Sequence, residues 1–147
     1  MAEADHSPRI LVDDRQDVRL DIEGLVAVAR EVLLGEGVGW AELSISFVTE
    51  DEMADLHRRF MGEEGPTDVL SFPFDEADED GAGVRILGDV VIAPSVAARN
   101  NPADPPAELR LLMVHGVLHL LGHDHMQESD RTAMWARQER YSGVHVP

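Results

Sequence analysis

DPPAELRLLMVHGVLHLLGHDH, residues 104–125, is the stretch on which the reading of this chain turns. Asp104 followed by Pro105 is a helix start, an acid at the N-cap with proline in the first turn. The apolar run behind it continues as a helix to about Leu121. Gly122 stops it, because glycine takes the left-handed conformation that lets a chain fold back. His115 and His119 are four residues apart on this helix. At about 100° per residue they lie roughly 40° apart on one face, about 6 Å along the axis. Two imidazoles so placed can reach one ion at the usual Zn–N distance of about 2.0–2.1 Å. Three residues beyond Gly122, His125 supplies a third ligand from the returning chain. The spacing therefore predicts one metal ion, zinc by preference, held by His115, His119 and His125 on the C-terminal helix and the loop after it.

Three neutral imidazoles leave a divalent ion its full charge and, in a tetrahedral site, one open position. Water bound there has a pKa lowered to about 7. Such a site suits water activation or phosphate binding better than a purely structural role. A zinc peptidase of the H-E-x-x-H type would carry its general base next to the first ligand; here that residue is Gly116. Asp124 is the nearest carboxylate. It can orient a ligand, accept a proton from the attacking water, or cap the local turn. His6, His57 and His145 have no comparable context and read as exposed. His123 alternates with His125 and points away.

Outward from this motif, residues 9–13 read as a short strand. Residues 17–34 read as a helix with Val18, Ile22, Leu25, Ala29 and Val32 on one face, ended by Gly35 and Gly37. Residues 43–48 alternate apolar and polar, a strand with one buried face. Thr49 and Glu52 have capping-box spacing and open a helix with Met53, Leu56 and Phe60 at helical intervals, broken at 62–66. Residues 68–74 are β-rich, with Pro73 marking an end or an edge position. Residues 75–83 read as a solvated loop, 86–93 as a strand, 95–100 as a helical turn and 128–141 as a last helix. Four strands and several helices without strict alternation predict an α+β fold, helices packed on a mixed four-stranded sheet.

The 147 residues carry 12 basic and 29 acidic side chains, a formal net charge of −17. That length predicts one domain spanning 1–147. Every fixed positive charge is an Arg, so phosphate contacts would come from guanidinium groups or a metal. Residues 50–80 hold twelve acids against Arg58 and Arg59, whereas residues 110–147 hold four of each sign. Broad nucleic-acid binding needs a basic face and is disfavoured. There is no Cys, hence no disulfide, thiolate site or cysteine nucleophile. No apolar run reaches the roughly 18 residues of a membrane span, and the polar, acidic N-terminus does not read as a secretory signal. A cytoplasmic protein is expected.

The segments HGVLHLLGHDH (115–125), PTDVLSFPF (66–74) and LGDVVIAP (87–94) together resemble the YbeY family of bacterial endoribonucleases. The family pattern H-G-x-L-H-L-x-G-x-D-H is matched at His115, Gly116, Leu118, His119, Leu120, Gly122, Asp124 and His125. The likeness runs through roughly residues 40–140. It implies an α+β fold, one Zn²⁺ on the three histidines, and single-strand-specific RNA cleavage. It also implies maturation of the small-subunit rRNA 3′ end and ribosome quality control. The implied partners are single-stranded RNA, rRNA above all, and the small ribosomal subunit with its assembly factors; no DNA and no membrane are expected. Many relatives carry an Arg five residues before the Pro-Thr pair. Here that position is Met61, which leaves Arg59 as the candidate phosphate contact. The candidate catalytic residues are thus Asp124 and Arg59. A non-catalytic assembly factor with a structural metal, or another metal-dependent hydrolase, remains an alternative.

Overall fold

Strand alternation organises the architecture. Along Ala41–Phe47, residues Ala41, Leu43, Ile45 and Phe47 are buried, while Glu42, Ser44 and Ser46 between them are only partly covered. One face of this strand therefore meets a core and the other does not. The computed structural model describes residues 7–74, 84–122 and 128–144, the side chains of 128–131 excepted. Its elements are β1 (Arg9–Asp14), α1 (Ile22–Gly35), β2 (Ala41–Phe47), α2 (Glu50–Met61), β3 (Val69–Pro73), β4 (Arg85–Ile92), α3 (Pro94–Asn100), α4 (Pro105–Leu120) and α5 (Glu128–Ser142). The strands form one sheet in the order β1-β2-β4-β3. β1, β2 and β4 run parallel, and β3 is antiparallel to β4. The α+β reading with a mixed four-stranded sheet holds. The solvated-loop reading of 75–83 lies outside the described residues.

The larger core fills the space between α1, α4, α5 and the sheet. It contains Leu25, Ala29, Val32 and Leu33 of α1, the buried row of β2, Val90 and Ile92 of β4, and Met134 of α5. A register shift at Glu42/Leu43, where φ of Gly88 is +129°, adds a residue to β4. That bulge keeps Leu87 on the core face together with Val90 and Ile92. The second face carries a smaller cluster of Val48, Met53, Leu70, Val91, Ala93 and Val96, with Leu56 of α2 and Phe72 of β3 against it. Helices thus lie on both sides of the sheet.

Local chemistry explains the helix boundaries. The Thr49 side chain accepts from the Glu52 amide at 3.2 Å, as the capping-box spacing predicts. Asp104 caps α4 by accepting from the Ala107 amide at 3.2 Å. α1 begins five residues later than the apolar pattern suggests. The Gln16 amide closes on both backbone groups of Val18, at 2.8 and 2.9 Å. This side chain competes with helical bonding, and the cap falls instead on Asp21, which accepts from the Gly24 amide at 3.1 Å. Val18 consequently stays outside the helix and exposed.

α4 is buried on most of its circumference, with Leu109, Leu112, Met113, Val114, Val117 and Leu118 all in the core. Such a helix has no strong amphipathic stripe. Its Gly116 lies directly against the sheet. A Cβ there would sit 2.7 Å from Val90 Cγ1 and 3.3 Å from Val69 Cγ2. Gly116→Ala is therefore expected to lower stability by about 1–3 kcal/mol through overpacking, read from the urea midpoint at unchanged m-value.

Asp89, on the second face beside Ser44 and Phe72, has its carboxyl pushed above the ordinary range by desolvation. The folded chain then holds that proton more tightly than the unfolded chain. This contribution to stability is complete below the unfolded pKa and is lost as pH rises through the folded one. Asp89→Asn is expected to melt above the wild type at neutral pH, with the gap closing in acid below the carboxylate range. A constant gap in thermal scans across that range would contradict this assignment.

Candidate active site

α4 carries His115 and His119 one turn apart, and their ring centroids are 4.8 Å from each other at an interplanar angle of 50°. Both rings line a cleft of about 190 Å³ with Met61 of α2 and Val69, Leu70 and Ser71 of β3. Gly122, just past the helix, has φ of +94°, and its amide donates to the His119 carbonyl at 3.0 Å. The left-handed glycine stop read from the sequence is present, and the returning segment lies outside the described residues. His125 and Asp124, the expected third ligand and the expected proton acceptor, lie outside the described residues, as do His6, His123 and His145. Among the described residues no group of three His, Cys, Asp or Glu side chains converges.

The orientation of His115 is set by a residue that sequence reading missed. Its Nδ1–H donates to Oε1 of Gln138 on α5, and Gln138 is only 5% exposed. A proton held on Nδ1 leaves Nε2 as the lone-pair nitrogen. That is the tautomer a metal-binding imidazole needs, with the other ring nitrogen tied to an acceptor. The donor chemistry of His115 and His119 therefore fits a zinc ion. α5 is itself docked by Glu36 at the end of α1. Arg137 Nε donates to Glu36 Oε1 at 3.0 Å and the Tyr141 hydroxyl to Oε2 at 2.7 Å. No signal in the sequence pairs Gln138 with His115.

The cleft wall is an edge strand. The Ala93 amide donates to the Asp68 carbonyl at 3.0 Å and the Phe74 amide to the Leu87 carbonyl at 3.2 Å. Antiparallel alternation then points the backbone groups of Leu70 and Phe72 toward β4 and those of Val69 and Ser71 away from it. Pro73 ends the strand at this edge, as its position suggested. The Ser71 hydroxyl donates to the Gly116 carbonyl at 3.0 Å. It fastens β3 to α4.

Arg59 sits on the exposed side of α2, paired with Asp55 at 3.3 Å, and is not among the residues lining the cleft. Met61 occupies the cleft rim instead. His57, read as exposed, is not so. Its side chain is 13% accessible, with Nδ1 donating to the Gly65 carbonyl at 2.9 Å and Nε2 3.1 Å from Glu63. It braces the turn that leads from α2 into β3.

Comparison with known proteins agrees with this architecture. A family model described as endoribonuclease YbeY matches residues 9–143. The chain is 45% identical over 137 residues to endoribonuclease YbeY of Salinispora tropica, covering 82% of this chain and 85% of that one. It is 45% identical over 135 residues to endoribonuclease YbeY of Thermobifida fusca, covering 86% and 87%. Among solved structures, the solution structure of a Thermotoga maritima protein superposes with a TM-score of 0.60 at 28% identity, covering 90% of this chain and 87% of that one.

The Gln138 contact has a direct spectroscopic consequence. In ¹⁵N-labelled protein without added metal, His115 is expected to show the Nδ1–H tautomer. Gln138→Leu should shift it toward the Nε2–H form. Identical His115 nitrogen shifts in the two proteins would remove Gln138 from the site.

Proposed function

The chain belongs to the endoribonuclease YbeY family and is an endoribonuclease; on that premise we propose that it cuts single-stranded RNA with the help of one zinc ion held by His115, His119 and His125. We extend this reading to maturation of the small-subunit rRNA 3′ end and ribosome quality control in the cytoplasm, with the small ribosomal subunit and its assembly factors as partners. The observation that carries the zinc reading is the pair of imidazoles at 4.8 Å in the cleft, one of them held by Gln138 in the tautomer suited to a metal. No helix among the described residues is long and apolar enough to cross a membrane.

When bound, a zinc ion on three neutral imidazoles supplies a full positive charge and an open position, which polarises a phosphodiester oxygen and lowers the pKa of a water. The chain's own groups do the rest. His115 and His119 present ring nitrogens from a rigid helix, so the site needs little reorganisation. The outward amides of Val69 and Ser71 lie along the cleft wall, where they can donate to phosphate oxygens. Asp124, next to the third histidine in sequence, accepts the proton of the attacking group. Arg59, tied to Asp55, contributes positive charge near the rim only by exchanging that partner for phosphate. Gly116 leaves no room for a general base at the position next to His115, which disfavours peptide hydrolysis of the H-E-x-x-H kind.

The test is cleavage of a single-stranded RNA by wild type and His119→Ala purified side by side, with elemental analysis of both. The wild type is expected to carry about one zinc per chain and to cleave; the variant should lose both properties. Chelation followed by zinc should restore the wild type alone. Equal cleavage by both proteins, or activity with no bound metal, would refute the zinc reading.

A further inference from the structure

The second face of the sheet carries a groove that the site above does not use. Arg15, Ser46, Leu56, Phe60, Phe72, Asp89 and Val91 enclose about 350 Å³ there, a volume in the range of small-ligand sites. At its lip Phe60 and Phe72 meet edge to face, with ring centroids 5.2 Å apart at 66°. Phe60 is 58% exposed although it lies in the last turn of a helix whose inner face holds a buried Met53. The Arg59 guanidinium lies 5.7 Å from the Phe60 ring centroid. An aromatic pair with one ring exposed, the other half-buried and a guanidinium beside it is costly to leave in water and is the composition that stacks flat π-systems.

This groove and the histidine cleft open on the two sides of β3, and both reach the end of α2. Phe60 faces the groove, and its neighbour Met61 lines the cleft. Phe72 faces the groove, and Ser71 lines the cleft. A strand held at the histidines thus meets the aromatic pair by passing over the β3 edge.

Charge identifies what such a strand must rely on. The chain carries a net −17. Around the groove Arg15 is bound to Glu52 and Asp13, and Arg58 and Arg59 both pair with Asp55. Phosphate contacts alone cannot hold RNA against that field. Stacking needs no net charge, since every base offers a π-face. We propose that Phe60 and Phe72, with the Arg59 guanidinium, form a stacking platform for an unpaired nucleobase of the RNA substrate, one flank away from the scissile phosphate. Ser46 and Asp89 on the groove floor then face the edge of that base, where a carboxylate accepts from the amino and imino donors of guanine. The platform rests on the endoribonuclease reading.

The test uses the full zinc-loaded chain and a short single-stranded RNA carrying 2-aminopurine at successive positions, mixed rapidly so that binding is read before turnover. The expected result is fluorescence quenching at one position on the flank. Phe60→Ala should abolish that quenching and weaken binding about 5- to 150-fold, the range for one stacked base. Its salt dependence should be unchanged, because no phosphate contact is lost. Phe60→Trp and Phe60→Tyr should restore both signals. An abasic substitution at the quenched position should weaken the wild type as much as Phe60→Ala does, and should add nothing in that variant. Circular dichroism confirms folding, which an exposed position should preserve. If the wild type cleaves RNA but Phe60→Ala binds and quenches as before, the platform is wrong while the endoribonuclease reading stands. If that variant keeps RNA affinity yet no longer co-sediments with small ribosomal subunits, the patch docks protein and the proposal also falls. If the wild type neither binds nor cuts RNA, both readings fail together.

Discussion

The seating of α4 on the sheet at Gly116 is the constraint on which the rest of the structure depends. A missing side chain lets the helix come within reach of Val90 and Val69. The Ser71 hydroxyl then binds the Gly116 carbonyl, so the edge strand and the helix become one wall and one floor. His115 and His119 flank that contact on the helix. Their separation comes from helical geometry, but their distance from the β3 edge comes from the close approach. The same close approach removes any place for a glutamate beside His115. Packing and chemistry are in this way decided by a single position.

The second constraint reaches the site from α5. Glu36 at the end of α1 receives Arg137 and Tyr141. Gln138, one residue after Arg137, is thereby turned inward onto His115. A buried amide that is hydrogen-bonded costs little, while an unpaired one would be expensive. Its burial fits a task of holding one ring tautomer. An imidazole that flips between tautomers offers a lone pair to a metal only part of the time, so under the zinc reading this contact would matter for affinity as well as for geometry.

Acidity and RNA chemistry meet as opposing demands in this molecule. Most arginines described near the cleft and groove are engaged by carboxylates. Recognition must then be concentrated in a few strong contacts instead of spread along a basic track. The proposed zinc ion and the proposed aromatic platform are two devices that need no basic surface. They would lie on opposite sides of the same edge strand, which would tie the polarity of a bound RNA to the fold.

What the residues determined alone was whatever depends on near neighbours. The helix placing His115 and His119 on one face, the caps at Thr49 and Asp104, the left-handed stop at Gly122 and the edge character signalled by Pro73 are all set within a few positions of backbone geometry. The start of α1 was misread because Gln16 competes locally in a way that apolar periodicity does not register. His57 was misread because its partners lie in a turn whose shape the composition does not encode. Tertiary structure alone decided the contacts that cross the chain: Gln138 on His115 over 23 positions, Ser71 on Gly116 over 45, and Phe60 against Phe72. Periodicity says which face of an element is buried, but not which residue of another element it meets. That pairing is settled only when the layers pack.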